Sequence, residues 1–511
     1  MRAAFRVDAS QRIGIGHFMR CLTLADALQR DGGETRFVCR QLGASLRDLL
    51  VQKGHEWSML EGGGEDGGLD ELAHASFLGT SQQRDAADTL RALSGPAWDW
   101  LIVDHYALDA RWESALRNAA RRVMVIDDIA DRVHDCDVLL DQNLYPDMET
   151  RYAGKVPAHC RVLLGPRYAV LRDEFHRLRG PVAPRAQPVK RVFVFLGGAD
   201  PDNLTERAIE AIHKAGNGAL AADVVIGAEN PHRSAIERAC EQYGYACHVH
   251  TPRMAELMAA ADLAIGASGS ASWERCCLGL ASVSVAFADN HLEVARALDR
   301  VGASVFVGDQ KTASIERIAR ALGVLMSDQN LRLQMSSKAH SLVDGLGCER
   351  VRDVLCGNKG AHATADPLTL RPATLLDSDL LLDWRNDAQT REASHNTAAV
   401  RTDEHVGWLS KTLEDPSRRL FVAEEAGCPV GTVRASLSDG VWELSWTVAP
   451  NARGRGLAKR MVAKLAQQIS EPIRAEVKAD NVASARIAEY AGMELDREAA
   501  GVLLYRRAAL K

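Results

Sequence analysis

The chain is poor in aromatic residues, which fill 5% of its 511 positions, and poor in net charge, which is −6 at pH 7. A balance this mild leaves no electrostatic footprint for nucleic acid or an anionic membrane surface, so neither is expected as a partner. Long apolar runs are also missing. None approaches the roughly 20 residues that a membrane-spanning helix requires. The opening MRAAFRVDASQ has no apolar stretch of the kind a secretory signal carries, so a cytoplasmic protein is expected. The 11 cysteines are scattered without a Cys-x-x-Cys pair, and the adjacent Cys276 and Cys277 are badly spaced for zinc. They read as reduced, mostly buried, small apolar residues, and no metal site is implied. Low-complexity tracts and short-period repeats are absent from the sequence as well.

What is present is length enough for two to four domains and a composition, 46% hydrophobic and 25% charged, typical of globular chains. Three blocks are expected, at 1–180, 181–357 and 368–511. Proline-rich GPVAPRAQPVKR (180–191) and polar CGNKGAHATADP (356–367) read as the linkers between them. The first two blocks alternate helical stretches with continuous apolar runs, which suits parallel strands covered on both faces. Several runs end in an acid: WLIVDHY in Asp104, VMVIDD in Asp127 and Asp128, VLLD in Asp141. In such sheets ligands bind beyond the carboxyl ends of the strands. The third block carries valine, threonine and aromatic residues around turn signals, in RRLFVAEEAGCPVGTVRAS and VWELSWTVAP, and reads as a mixed α+β domain with antiparallel strands.

The first block opens with the strand RAAFRVDAS, which has Asp8 near its end. Gly14 and Gly16 then form a bend, and His17 begins a helix whose Leu22, Leu24, Ala25 and Leu28 mark its buried face. A histidine there is a cap-like residue, a phosphate contact or a general base. The positive end of the helix dipole disfavours imidazolium, which suits a base better than a phosphate clamp. Asp8 and Arg20 are candidates to orient His17 or a substrate, and Asp104 and Tyr106 are candidate substrate contacts. Arg167 and Tyr168, just before the first linker, are further cleft candidates.

The second block holds two glycine turns at strand ends. FLGGADPDN places Gly198, and IGASGSASWE places Gly269 and Ser270 ahead of a helix with Glu274 in its first turn. Small residues let backbone amides approach a diphosphate, and a carboxylate one turn on can accept hydrogen bonds from ribose hydroxyls. The bland alternative is an ordinary helix start with a favourable acid. Asn290, in FADNH, ends the next strand toward the same place.

In the third block, NARGRGLA runs from a strand ending at Val448 into a helix. Gly454 and Gly456 free the turn, Arg453 and Arg455 add charge, and Leu457 and small Ala458 begin the helix; together they make an anion site out of helix-start amides. Glu443 on the preceding strand is a candidate base, with a solvated strand face as the alternative. Asn481 and Tyr490 follow in EVKADNVASARIAEYAGM.

This order of elements, with its R-G-R-G-L-A turn, resembles the GCN5-related N-acetyltransferase family over the whole third block. The resemblance implies acetyl-CoA as donor, its pyrophosphate on the loop amides, Asn481 as a pantetheine contact and Tyr490 as the acid that protonates the leaving thiolate. WRNDAQTREASHNTAAVRTDEHVGWL is similar to acetyltransferases of nucleotide-linked amino sugars. The second block resembles the UDP-binding half of GT-B nucleotide-sugar enzymes, with Glu274 on the ribose. RVDAS, IGIGHFMR, DHYALD, VIDDIADR, LLDQN, LLGPRYAVLRDEF and FVFLGGADPDN, in that order, resemble the UDP-2,4-diacetamido-2,4,6-trideoxy-β-L-altropyranose hydrolases of pseudaminic acid synthesis over residues 1–350. The resemblance implies His17 as the base that activates water at the anomeric carbon. The expected architecture is therefore α/β, a GT-B-like pair of Rossmann-type domains followed by an α+β acetyltransferase domain. The expected ligands are a UDP-sugar and acetyl-CoA. The alternatives are a glycosyltransferase, or a binding module joined to an acetyltransferase of another amine.

Overall fold

The computed structural model describes every residue except 11, 63–69, 181–187, 288, 358–367, 395, 426–427, 454–455, 500 and 510–511, together with the side chains of 289–290, 376, 428 and 451. Much of both expected linkers lies outside the described residues. Contacts divide the chain into two compact units, Met1–Ala365 and Asp366–Lys511.

The first unit contains two wholly parallel sheets. Strands β1 (Arg2–Val7), β2 (Glu34–Cys39), β3 (Glu56–Met59), β4 (Trp98–Asp104), β5 (Ala120–Ile126), β6 (Val138–Asp141) and β7 (Arg161–Leu164) lie in the order β3-β2-β1-β4-β5-β6-β7. Strands β8 (Arg191–Phe195), β9 (Ala221–Ile226), β10 (Ala246–Val249), β11 (Leu263–Ala267), β12 (Ser282–Ala286) and β13 (Val305–Asp309) repeat the plan as β10-β9-β8-β11-β12-β13. The apolar runs are continuous because helices cover both faces of each sheet. Phe5, Ile102, Met124 and Leu140 pack on one side of the first sheet, and Ala4, Leu101, Val123 and Leu139 on the other. The order reverses between β1 and β4 in one sheet and between β8 and β11 in the other. At such switch points successive connections leave toward opposite faces and open a crevice at the strand ends.

The chain crosses between the two halves twice, and the crossings touch. On the way out, the segment through Ala169 leads to the helix Asp173–Leu178, whose buried Phe175 packs among residues of the second half such as Phe193 and Trp273. On the way back, the helix Gly347–Cys356 returns to the first sheet. There Val351 and Leu355 join Phe5 and Phe37, and Trp100 Nε1 donates to Leu355 O at 2.9 Å. Gly347 is a packing requirement: a Cβ on it would lie 2.2 Å from Ala169 O.

The second unit has one mixed sheet. Its strands are β14 (Leu368–Pro372), β15 (Arg418–Glu425), β16 (Cys428–Ser438), β17 (Val441–Val448), β18 (Ile473–Lys478), β19 (Glu494–Ala499) and β20 (Val502–Arg507), in the order β14-β15-β16-β17-β18-β20-β19. Every pairing is antiparallel except β17 with β18, which are parallel and pair only at Trp442 with Ile473 and Glu443 with Arg474. Beyond those two pairs the strands separate. Among the described residues no helix is long and apolar enough to cross a membrane.

Candidate functional site

At the first switch point the loop after β1 delivers the helix Gly16–Arg30. Gly14 supplies the bend with φ +82°. Gly16 is not a second bend. It begins the helix, and its need is closeness, since a Cβ there would lie 3.2 Å from Ser270 Oγ of the other half. Because β4 is the neighbour of β1, its last residue, Asp104, lies under the start of this helix. His17 Nδ1 meets Asp104 Oδ1 at 2.5 Å. Arg20, one turn on, grips the same carboxylate with Nε at 2.6 Å and Nη2 at 2.7 Å, and reaches Asp128 Oδ2 at 3.0 Å. Tyr106 donates its hydroxyl to Asp128 and sets its ring at 88° to the His17 ring, centroids 4.6 Å apart.

The electrostatics select one tautomer. Burial alone would raise the pKa of the Asp104 carboxyl, but the Arg20 guanidinium and His17 more than reverse this and hold it well below the usual carboxylate range. An ionised carboxylate only accepts, so in the neutral form of the His17 ring the proton sits on Nδ1 and Nε2 carries the lone pair that can act as a base. His17 retains 11% side-chain exposure, against none for Asp104, which is what a group that must meet water needs.

The structure brings together four of the residues expected here: His17, Arg20, Asp104 and Tyr106. Asp8 belongs elsewhere. It is wholly buried, ion-paired to Arg6 at 2.8 Å and hydrogen-bonded by the Arg40 and Gln41 amides, so it fastens the end of central β1 to the end of β2 and makes no contact with His17. The Arg167 carbonyl accepts from Arg350 at 2.7 Å in the return crossing.

The two glycine turns of the second half face this group. Gly198 lies beside Ile15, with a Cβ position 3.8 Å from Ile15 Cδ1. The loop after β11 carries Gly269 and Ser270 into the helix Ala271–Cys277, and Glu274 on that helix pairs with Arg172 at 3.4 Å while keeping 18% exposure. Below the loop, Arg275 is 2% exposed, has no carboxylate partner, and holds Ala267 O at 2.8 Å. Burial depresses this guanidinium to about 10. A nearby anion would relieve that cost. The side chain of Asn290 lies outside the described residues. Its neighbour His291, which the sequence did not single out, stands against Gly269, with a Cβ position 3.4 Å from its Nε2. Burial lowers the His291 pKa, so its ring is neutral, and its buried Nδ1 has no partner among the described residues.

The second unit encloses a cavity of about 790 Å³ where β17 and β18 separate. Val448, Arg453, Ala458 and Asn481 line it. Gly456, at φ +71°, turns the chain into the helix Leu457–Gln467, and Leu457 is buried at 2% in the core. Gly454 and Arg455 lie outside the described residues. Asn481 also caps the helix Val482–Tyr490 by accepting from the Ser484 amide at 3.0 Å. Neither proposed proton carrier lines the cavity. Tyr490 is 59% exposed, at the last position of its helix. Glu443 is held by Arg474 at 2.8 and 3.0 Å at the point where β17 and β18 still pair. The cavity instead offers Glu404, Glu476 and His405, the last 3% exposed with an unpartnered Nε2 and a pKa lowered by burial.

Two Rossmann-type sheets facing at their switch points, followed by a sheet splayed around a cavity, define a GT-B-type pair joined to an acetyltransferase-type domain. A family model agrees with the acetyltransferase-type part of that class. The family model described as Acetyltransferase (GNAT) domain matches residues 367–494. The chain is similar to the spore coat polysaccharide biosynthesis protein SpsG of Bacillus subtilis, 23% identical over 365 residues, covering 70% of this chain and 98% of that protein. It is similar to the UDP-2,4-diacetamido-2,4,6-trideoxy-beta-L-altropyranose hydrolase of Campylobacter jejuni, 26% identical over 206 residues, covering 40% of this chain and 63% of that enzyme. Among solved structures, MurG of Acinetobacter baumannii matches with a TM-score of 0.48 at 18% identity, over 70% of this chain and 99% of that one.

Proposed function

We propose that the chain is a two-step enzyme. Residues 368–511 transfer acetyl from acetyl-CoA to the 4-amino group of a UDP-linked 4-amino-4,6-dideoxy sugar. Residues 1–180 and 181–357 then hydrolyse the UDP-2,4-diacetamido-2,4,6-trideoxy-β-L-altropyranose so formed. The observation that carries the hydrolytic half is the His17–Asp104 contact at 2.5 Å, which leaves Nε2 as a lone pair at the mouth of the crevice. In this reading water attacks the anomeric carbon, its proton passes to His17 Nε2, and the bond from that carbon to the diphosphate oxygen breaks, its electrons leaving with UDP. Such a leaving group needs no strong acid, so the demand falls on orienting and deprotonating the water, which is worth roughly 10²–10⁴-fold. Gly269, Ser270 and the amides of the β11 loop take the diphosphate, and Glu274 takes the ribose.

For the acetyl step, the start of the helix Leu457–Gln467 takes the donor's pyrophosphate, and the gap between β17 and β18 takes its pantetheine arm. The hydrolase similarity of the first unit and the acetyltransferase domain of the second support this coupling: the product of one reaction is the substrate of the other. NMR of the purified chain with a UDP-4-amino sugar, with and without acetyl-CoA, tests it. The expected result is acetylation followed by release of free sugar and UDP with inverted configuration. Sugar release only when an acceptor alcohol is added would instead mark a glycosyltransferase.

A further inference from the structure

The charge lining the second unit's cavity is unusual for a site that receives an amine. Arg385, Arg434, Arg453 and Lys478 face it, against the carboxylates of Glu404 and Glu476. Two of the four cations have partners that explain them. Arg453 pairs with Asp387, beside the turn into the helix Leu457–Gln467, and Lys478 donates to Glu392 O at 2.7 Å. Arg434 and Arg385 differ. Arg434 makes no hydrogen bond or ion pair among the described residues, and its Nε is buried without a partner. Burial lowers its pKa and the neighbouring Arg418 lowers it further, while the nearby acid, Glu443, is already committed to Arg474. Arg385 gives one nitrogen to Asn396 O at 2.8 Å and keeps a buried Nη1 unpartnered.

Position separates Arg434 from the donor's phosphates. It lies on β16 opposite Ser445 of β17, three residues before Val448 and away from the helix start that follows that strand. It shares the cavity with Trp384, Trp408 and Leu444. A half-buried guanidinium with its Nε unpartnered is costly unless a ligand supplies a counter-charge, and its planar fork suits a phosphate.

We infer that Arg434, with Arg385 beside the same cavity, forms a site for a phosphate of the acceptor, so that this unit acetylates amines carrying a phosphate or diphosphate and discriminates against polyamines and uncharged amino sugars. This rests on the proposed function and names how its acceptor is recognised.

The test is steady-state acetyl transfer by the full chain, with a UDP-linked 4-amino sugar, the same amino sugar without UDP, an amino-sugar monophosphate and spermidine as acceptors. Arg434→Met is expected to raise KM for the UDP-linked acceptor about 10- to 100-fold, the range for one lost charged hydrogen bond. KM for acetyl-CoA stays within about twofold, which also reports that the fold is intact, and Arg434→Lys recovers part of the loss. An unchanged acceptor KM overturns the inference, as does an equal rise in KM for acetyl-CoA, which would assign Arg434 to the donor. If the wild type ignores the UDP-linked sugar but prefers the amino-sugar monophosphate, the proposed function fails while the anion site stands. Preference for spermidine or the UDP-free sugar refutes the anion site.

Discussion

Replacing Asp104 by asparagine separates the chemical role of the His17 contact from its structural one. The carboxylate accepts from His17 at 2.5 Å and from Arg20 at 2.6 and 2.7 Å. An asparagine of the same shape keeps one carbonyl oxygen, and Arg20 Nε, which holds Oδ2 at 2.6 Å, claims it. Its amide nitrogen then faces His17 Nδ1 and donates to it, which moves the imidazole proton to Nε2. The lone pair that would take the water proton is lost. The expected loss is the whole general-base contribution, about 10²–10⁴-fold in kcat, or about 3–5 kcal/mol of barrier. Folding also suffers, because Asp128 at 3.0 Å becomes the remaining charged partner of Arg20. Breaking a buried pair costs about 3–5 kcal/mol, and the surviving partner puts this case at the lower end. Binding of UDP changes little, because its expected contacts lie on the other half. The assay is UDP release from the diacetamido sugar, with calorimetric UDP titration and a melting curve alongside. A variant that melts lower but hydrolyses within tenfold of wild type would refute the tautomer argument and leave Asp104 a structural residue. Combining it with His17→Gln should add little further loss, since both act on one proton path.

Four further expectations follow from the same geometry. Glu274→Ala, which removes the ribose acceptor and frees Arg172, should weaken UDP binding by about 1–2 kcal/mol in a calorimetric titration; unchanged affinity would return Glu274 to the role of a helix-start acid. Tyr490→Phe and Glu443→Gln should each keep acetyl transfer within about threefold, whereas His405→Ala should lower it by roughly 10²-fold in a thiol-release assay; the opposite pattern would favour the roles assigned by resemblance. Through two buried groups, stability of the first unit should fall as pH rises from about 4 to 9. Burial and Asp128 push Asp141 up to about 8, and at His134 the acids Asp127 and Glu113 outweigh burial and raise it to about 9. Both groups therefore hold protons in the folded state after the unfolded chain has released them, so each contribution is complete below the unfolded pKa and is lost through the folded one. Asp141→Asn should flatten the melting temperature against pH over the acid side of that window. Gly347→Ala should cost about 1–3 kcal/mol by chemical denaturation, because the new methyl group meets the Ala169 carbonyl.

The sheets were legible because their signal is local: an apolar run of β length, a glycine turn, an amphipathic helix. The strand-end acids were legible for the same reason, and Asp104 and Asp128 do meet His17 and Arg20. What the sequence hid was pairing over long separations. Nothing near Asp8 announces that Arg6 and two amides from residues 40 and 41 consume it, and nothing near Glu443 announces Arg474. Tyr490 shows the limit of spacing arguments on a helix, since Ser484 and Ile487 line the cavity while Tyr490, one turn on, is outside its lining and 59% exposed. Arg434 is the reverse case. In the sequence it is one more arginine in an alternating strand, and what sets it apart in three dimensions is that, among the described residues, the acid near it, Glu443, is already paired with Arg474.

The paired crossings near Ala169 and Gly347 have a mechanical consequence. Two bodies joined by touching covalent links cannot slide past one another; they can only swing about the place where the links meet. His17 rides on one body and Glu274 on the other. Changing their separation therefore requires a swing about that place, and in the proposed function it is this swing that would admit a sugar nucleotide and release UDP.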